Sequence, residues 1–271
     1  MTAAIAWVGD QWGPPNQLGV PLDDRGLTLA DGVFETVLVR QGQPQLLAEH
    51  LERWQRGASL LGLASPPPLA AVQNLAASAV ERSGIHAGAL RLNWSRGSGG
   101  RGLSCPEPPG PGRCWGSLYP HQPGFQPLRV QVSRLLTRSA SSPLSQCKSF
   151  AYTELVLARR QAQSAGFDDA LLLSSAGGLC CGTAANLLVL RGGCWLTPGQ
   201  ASGCLPGVMR GRALALGLAA EAPLGNELAP GEAAVLLNSL DCRPLNASAA
   251  PLAKALFEQL LENSTARENH K

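Results

Sequence analysis

The chain has 271 residues, 45% of them hydrophobic and 15% charged, which is enough for a real core in one large domain or two smaller ones. A net charge of +3 is too small to imply a nucleic-acid partner. Eight cysteines without a C-x-x-C pair, and only four histidines, argue against a metal site and fit reduced core thiols of a cytoplasmic protein.

Taken in chain order, MTAAIAWVGDQWG carries no basic segment followed by an apolar one, so no secretory signal is expected. AIAWV (4–8) and VFETVLV (33–39) read as strands, and QGQ turns the second into PQLL. Leu51, Trp54, Ala58 and Leu61 recur at helical spacing, which predicts a helix from about Ala48 to Leu61. A second helix is predicted in PPPLAAVQNLAASAVERSG, with Pro at its start and Gly at its end. ALRLNWS (89–95) and CWGSLYP (114–120) are predicted strands, separated by a Pro/Gly-rich loop over 103–112.

HQPGFQP (121–127) is the expected linker, giving domains at 1–120 and 128–271. The second half opens with strand LRVQVSRL (128–135) and helix TELVLARRQAQSAG (153–166). Residues 170–190 carry no charge and are long enough for a bilayer, but serines, glycines and Asn186 break the run into strand, turn and strand, so no membrane span is expected. GCWLTP and EAAVLLNS read as strands, LPGVMRGRALALGL (205–218) as a loop leading into a helix, and SAAPLAKALFEQLLEN (248–263) as the closing helix. Strands grouped with helices, without strict alternation, predict two α+β domains.

Several residues invite chemistry. Gly97–Gly102 spells G-x-G-x-x-G, but a Pro-rich loop follows it where a dinucleotide site needs a helix. The pattern leaves a Gly-rich loop presenting Arg96 and Arg101, either solvated or clamping a carboxylate. Arg53 is a surface arginine or a phosphate fork, and Gly207-Val208-Met209 is a plain helix start or an anion site. Lys148 is one of three lysines in a chain that otherwise uses Arg, and it is internal, in QCKSFAYTE. Arg cannot form an imine, whereas a desolvated Lys can; a surface lysine is the other reading.

Seven segments resemble, in order, the class IV aminotransferase-like proteins, the fold-type IV pyridoxal-phosphate enzymes. They are DRGLTLADGVFETVLV (24–39), AEHLERW (48–54), LRLNWSRGSGGRG (90–102), KSFAYTELVLARRQAQSAGFDDALLL (148–173), CGTAANLLVL (181–190), GCLPGVMRGRAL (203–214) and LLNSLDCRPL (236–245). The resemblance implies a two-domain α+β fold like that of D-amino-acid aminotransferases, with pyridoxal 5′-phosphate between the domains and the Schiff-base lysine, Lys148, in the C-terminal domain. It further implies that Arg53 and the backbone of Val208 and Met209 bind the cofactor phosphate, and that Arg101, with Arg96, holds a substrate carboxylate. FET at 34–36, SRGSGGRG and the N-S-L at Asn238 lean toward the aminodeoxychorismate lyases, and Asn238 is expected at the substrate. A homodimer, a functional link to aminodeoxychorismate synthase and a small amino substrate are implied as well. Transaminases and non-catalytic homologues of the same fold are the alternatives.

The chain departs from the pattern in two places. Cys181 stands where the family has the glutamate that keeps the cofactor's pyridine nitrogen protonated. Ala184 and Met209 lack the hydroxyls expected near the phosphate, leaving Thr183 or Ser239 to supply one. A neutral thiol is more compatible with elimination to an aromatic product than with full transamination.

Overall fold

The computed structural model describes residues 4–100, 102–105, 107 and 110–268, with side chains to Glu262. The chain forms two compact units. The first comprises Met1–Gln122 and Cys147–Ala151, the second Pro123–Gln146 and Tyr152–Lys271.

The first unit runs β1 (Ile5–Val8), β2 (Gln11–Gly13), α1 (Arg25–Leu29), β3 (Gly32–Arg40), β4 (Gln43–Pro44), α2 (Leu47–Leu60), α3 (Leu69–Ser83), β5 (Gly88–Ser95) and β6 (Arg113–Pro120). Among the described residues its strands make a six-stranded sheet in the order β2-β1-β6-β5-β3-β4, antiparallel throughout. The α2 side chains Trp54 and Ala58 and the α3 side chains Val72 and Ala76 share one core with Val33, Val37, Leu90 and Leu92. Buried Trp54 also donates its indole N–H to the Val33 carbonyl, 3.3 Å away. The helix punctuation is as the sequence suggests: Pro68 precedes α3, and Gly84 closes it in the left-handed region at φ 67°. Strand β2 and helix α1 were not anticipated, since three and five residues are too short to leave a periodic trace.

The lysine segment belongs to this first unit, which corrects its expected place in the C-terminal domain. Backbone pairing is the cause. Phe34 donates its N–H to the Lys148 carbonyl at 2.9 Å, and Phe150 donates to the Gly32 carbonyl at 3.0 Å. Val33 and Ser149 form an antiparallel bridge, and Cys147 joins the first core. Gly32 makes the approach possible, because a Cβ there would stand 2.3 Å from the Phe150 ring.

The second unit runs β7 (Val130–Arg138), α4 (Thr153–Ser164), β8 (Asp169–Ser174), β9 (Leu179–Gly182), β10 (Asn186–Arg191), β11 (Cys194–Thr197), α5 (Val208–Ala215), β12 (Ala219–Glu221), β13 (Ala234–Leu237), β14 (Cys242–Pro244) and α6 (Ala250–Glu268). Its strands follow the order β12-β11-β10-β9-β8-β7, with β13 pairing both β10 and β14. The pairs β7–β8 and β11–β12 are parallel and the rest antiparallel. The uncharged run at 170–190 is therefore strand, turn at Gly177-Gly178, and two further strands. No helix among the described residues is long and apolar enough to cross a membrane.

Candidate functional site

In the first unit, successive residues of β3 serve opposite faces of the sheet. Phe34 pairs with Asn93 and Thr36 with Arg91, which puts all four on one face, while Glu35 pairs with Leu92 on the other. The Phe34 ring lies under two cations. The Lys148 amine is 4.3 Å from its centroid and the Arg91 guanidinium carbon 3.8 Å. Phe150 stacks against Phe34 and also contacts Trp115, so Lys148 is set among aromatic rings and is half-buried.

On the opposite face, Glu35 is fully buried between two α2 side chains one turn apart. Arg53 donates Nε to Oε1 at 2.8 Å and Nη2 to Oε2 at 2.5 Å, a bidentate contact that fixes the plane of its guanidinium. His50 Nδ1 lies 2.7 Å from Glu35 Oε2. Burial would raise the Glu35 pKa, but the charge and hydrogen bonds of Arg53, then those of His50, outweigh it and hold it at about 2. The ionised carboxylate can only accept, so Nδ1 carries the proton. Burial is the largest cause lowering the His50 pKa, and the charges of Arg53 and Lys148 add to it, leaving a neutral ring.

The Gly-rich loop after β5 is held by a second ionic cluster. Arg96 donates to Asp31 through Nε at 2.7 Å and Nη2 at 3.2 Å, and to the Leu61 and Gly62 carbonyls at 2.7 and 2.8 Å. Arg96 was expected beside a substrate carboxylate. It is instead buried on Asp31, whose pKa is lowered by Arg96 and Arg25 against the effect of burial. Arg101 lies outside the described residues.

In the second unit, the candidates gather at the start of β10, where Asn186 pairs with Cys181 on one side and Leu237 on the other. Cys181 is buried, and its hydrogen bond with Cys180 together with burial pushes its thiol well above the ordinary range, so it is neutral. Asn186 donates to the Leu205 carbonyl at 2.9 Å, fixing the turn that enters α5. A Cβ on Gly207 would stand 2.0 Å from Asn186 Oδ1, so only glycine fits this N-cap. The cap supplies no side-chain acceptor, and the N–H groups of Val208 and Met209 have no partner within the helix. The turn after β13 carries Asn238 and Ser239. Asn238 Oδ1 accepts from the N–H groups of Leu240 and Asp241 at 2.8 and 2.9 Å, and its amide donates to the Ala184 carbonyl at 3.3 Å. The Thr183 hydroxyl is committed to Asp169 at 2.5 Å.

The family model described as Amino-transferase class IV matches residues 32–247. The chain belongs to the class IV aminotransferase family. An aminodeoxychorismate lyase from Vibrio harveyi is 32% identical over 202 residues, covering 73% of each chain. A bifunctional aminodeoxychorismate lyase/D-amino acid transaminase from Mycobacterium tuberculosis is 29% identical over 201 residues, 67% of this chain and 68% of its own. Among solved structures, a fold IV transaminase from Curtobacterium pusillum superposes with a TM-score of 0.79 at 25% identity, over 95% of this chain and 99% of that one.

Within this class IV chain, Lys148 and Arg53 share the first unit, while Cys181, Val208, Met209, Asn238 and Ser239 share the second. Glu35, His50 and Arg91 escaped the sequence reading as site residues. A signal for them existed: Glu35 is a charged residue at the centre of an otherwise apolar strand, and His50 and Arg53 stand three apart on the helix that follows. A charge at a buried strand position needs a partner, and a face of α2 supplies two.

Proposed function

We propose that this chain is a pyridoxal 5′-phosphate lyase that converts 4-amino-4-deoxychorismate to p-aminobenzoate and pyruvate, a step of folate synthesis. The observation that carries the choice is the buried, neutral Cys181 at the position where the family has glutamate. When bound, pyridoxal phosphate supplies an electron sink next to the substrate amine. A thiol that stays protonated gives the pyridine nitrogen no anionic partner, so the sink is shallower than a carboxylate makes it. Elimination driven by formation of an aromatic ring needs less of that sink than transamination does.

The side chains present fit the cofactor. Lys148 holds its carbonyl carbon, and the amine lies over an aromatic face that accepts a flat ring beside it. Arg53, with its fork fixed by Glu35, and the Val208 and Met209 N–H groups at the Gly207 cradle serve the phosphate dianion. Ser239 supplies the hydroxyl that Ala184 and Met209 lack, and Thr183 is already bound to Asp169. Asn238 acts by shaping the turn that presents Ser239. Lys148 takes the proton from the amine-bearing ring carbon. The bond from the ring to the enolpyruvyl oxygen then breaks, pyruvate leaves, and the ring becomes aromatic. Arg101 holds a substrate carboxylate, and Arg96 holds the loop that carries Arg101. We assign the active form to a homodimer in the cytoplasm, fed by aminodeoxychorismate synthase.

The test supplies the purified holoprotein with the product of aminodeoxychorismate synthase and follows p-aminobenzoate and pyruvate. Equal amounts of the two are expected. No product from cofactor-loaded protein overturns the reading. The similarity to a bifunctional lyase/transaminase supports a second reading, in which amino transfer from a D-amino acid to a 2-oxo acid is the main activity.

A further inference from the structure

Arg25 is buried, yet it lies next to one of the most exposed loops described in the first unit. Its Nη1 donates to the carbonyls of Gly102 and Ser104 at 3.1 and 3.2 Å, and its Nη2 to the Leu103 carbonyl at 3.4 Å. Three successive carbonyls of a loop whose Leu103 is 86% exposed thus turn inward onto one guanidinium. Water could solvate carbonyls in so open a loop, so the convergence is not needed to satisfy them. Its effect is to set the shape of the loop.

Two further contacts complete the clamp. The Arg25 N–H donates to the Gly97 carbonyl at 2.9 Å, at the start of the loop. Arg25 Nε donates to Asp31 Oδ2 at 3.0 Å, and the same carboxylate holds Arg96, which grips the carbonyls at the end of α2. Asp24, fully buried, adds Ser95 and Arg113 to the same base at 3.0 and 2.8 Å. The loop has little stiffness of its own, with glycine at 97, 99, 100 and 102, of which Gly97 and Gly102 adopt φ of 82° and 91°. Arg101 stands in the sequence between two of these glycines. Whatever order its backbone has must come from groups outside the loop.

We propose that Arg25 is a positioning residue for the substrate-carboxylate loop: it pre-orders residues 102–104, and through them Arg101, without touching substrate. This rests on the reading above that Arg101 holds a substrate carboxylate. A planar fork can reach three carbonyls and a carboxylate at once, and a lysine ammonium cannot, so the role is specific to Arg.

The test uses holoenzyme and two probes, turnover of 4-amino-4-deoxychorismate and binding of p-aminobenzoate by calorimetry. Arg25→Ala and Arg25→Lys should each raise KM and the p-aminobenzoate Kd about tenfold or more, because small misplacement of a binding group is costly. Both should leave kcat and the cofactor absorbance within about twofold of the parent. Arg101→Met should lose as much, and the Arg25→Ala/Arg101→Met double variant no more than the worse single one. Guanidinium ion should restore binding to Arg25→Ala and not to Arg101→Met. If Arg101→Met weakens binding while both Arg25 variants bind like the parent, or if the losses add in the double variant, the positioning role is overturned and the site reading stands. If Arg101→Met binds like the parent, or the parent binds no p-aminobenzoate, the site reading fails and takes the proposal with it. Should Arg25→Ala not fold, Arg25→Lys decides, since it keeps a charge for Asp31.

Discussion

Replacing Glu35 with Gln tests the buried pair that orients Arg53. The carboxylate is wholly inaccessible and accepts from Arg53 twice and from His50 once. Its pKa falls from 4.5 to about 2 in the folded chain. At about 1.4 kcal/mol per pKa unit, the ionised form contributes on the order of 3 kcal/mol to folding. Gln keeps the shape but not the charge, and it leaves a buried guanidinium without an anion, which costs about 3–5 kcal/mol when a buried pair is broken. The variant should therefore be about 3 kcal/mol or more less stable than the parent at pH 7 in urea unfolding followed by tryptophan fluorescence. The pH dependence has a definite sign. A depressed carboxylate stabilises above its unfolded pKa and loses that contribution as pH falls through the folded value. The gap between parent and variant should be full at pH 5 and above, and should close as pH drops from 4.5 toward about 2. A gap below about 0.5 kcal/mol at pH 7, or one that does not change between pH 5 and pH 2.5, would refute the reasoning.

Lys148→Ala and Lys148→Arg should both abolish turnover and the visible band of covalently held cofactor, because neither side chain can form an imine; residual turnover in Lys148→Arg above that of Lys148→Ala would count against the assignment. Gly207→Ala forces a Cβ to within 2.0 Å of Asn186 Oδ1, so it should disturb the entry to α5 and weaken cofactor binding about tenfold or more by equilibrium dialysis. Unchanged affinity there would remove the α5 N-terminus from the phosphate site. Cys181→Glu should deepen the electron sink and so raise amino transfer from D-amino acids relative to lyase turnover; faster lyase turnover with no gain in transfer would contradict the role given to the thiol.

Much of the fold was legible because its longer elements obey one period each. Helix α2 announces itself through Leu51, Trp54 and Ala58, and β5 through the alternation in ALRLNWS. The turn at Gly177-Gly178 could be read inside an uncharged run, since both glycines take positive φ there. What stayed hidden has a common cause, in that it depends on contacts distant in sequence. The lysine segment joins the first unit through two backbone hydrogen bonds and a glycine that clears room for Phe150, and none of these leaves a mark in local composition. Arg96 has the same letter whether it binds substrate or Asp31, and only the position of Asp31, 65 residues earlier, decides.

The period of β3 also explains how two tasks meet on one short stretch of chain. Phe34 points to the face where Lys148 and Arg91 lie over its ring, and Glu35 points to the face of α2, where it fixes Arg53. One residue of slip would exchange the faces, burying the aromatic platform under α2 and turning the carboxylate toward the lysine. Register is set by β5 along the whole strand, from Gly32 opposite Ser95 to Val39 opposite Gly88. The same strand also pairs with Lys148 and Ser149 through its first residues. The position of the lysine relative to the ring and that of the arginine relative to its carboxylate therefore depend on a single hydrogen-bond ladder. A change that shifts β3 against β5 must disturb both at once, whereas a change confined to the Glu35 carboxylate leaves the Lys148 platform in place.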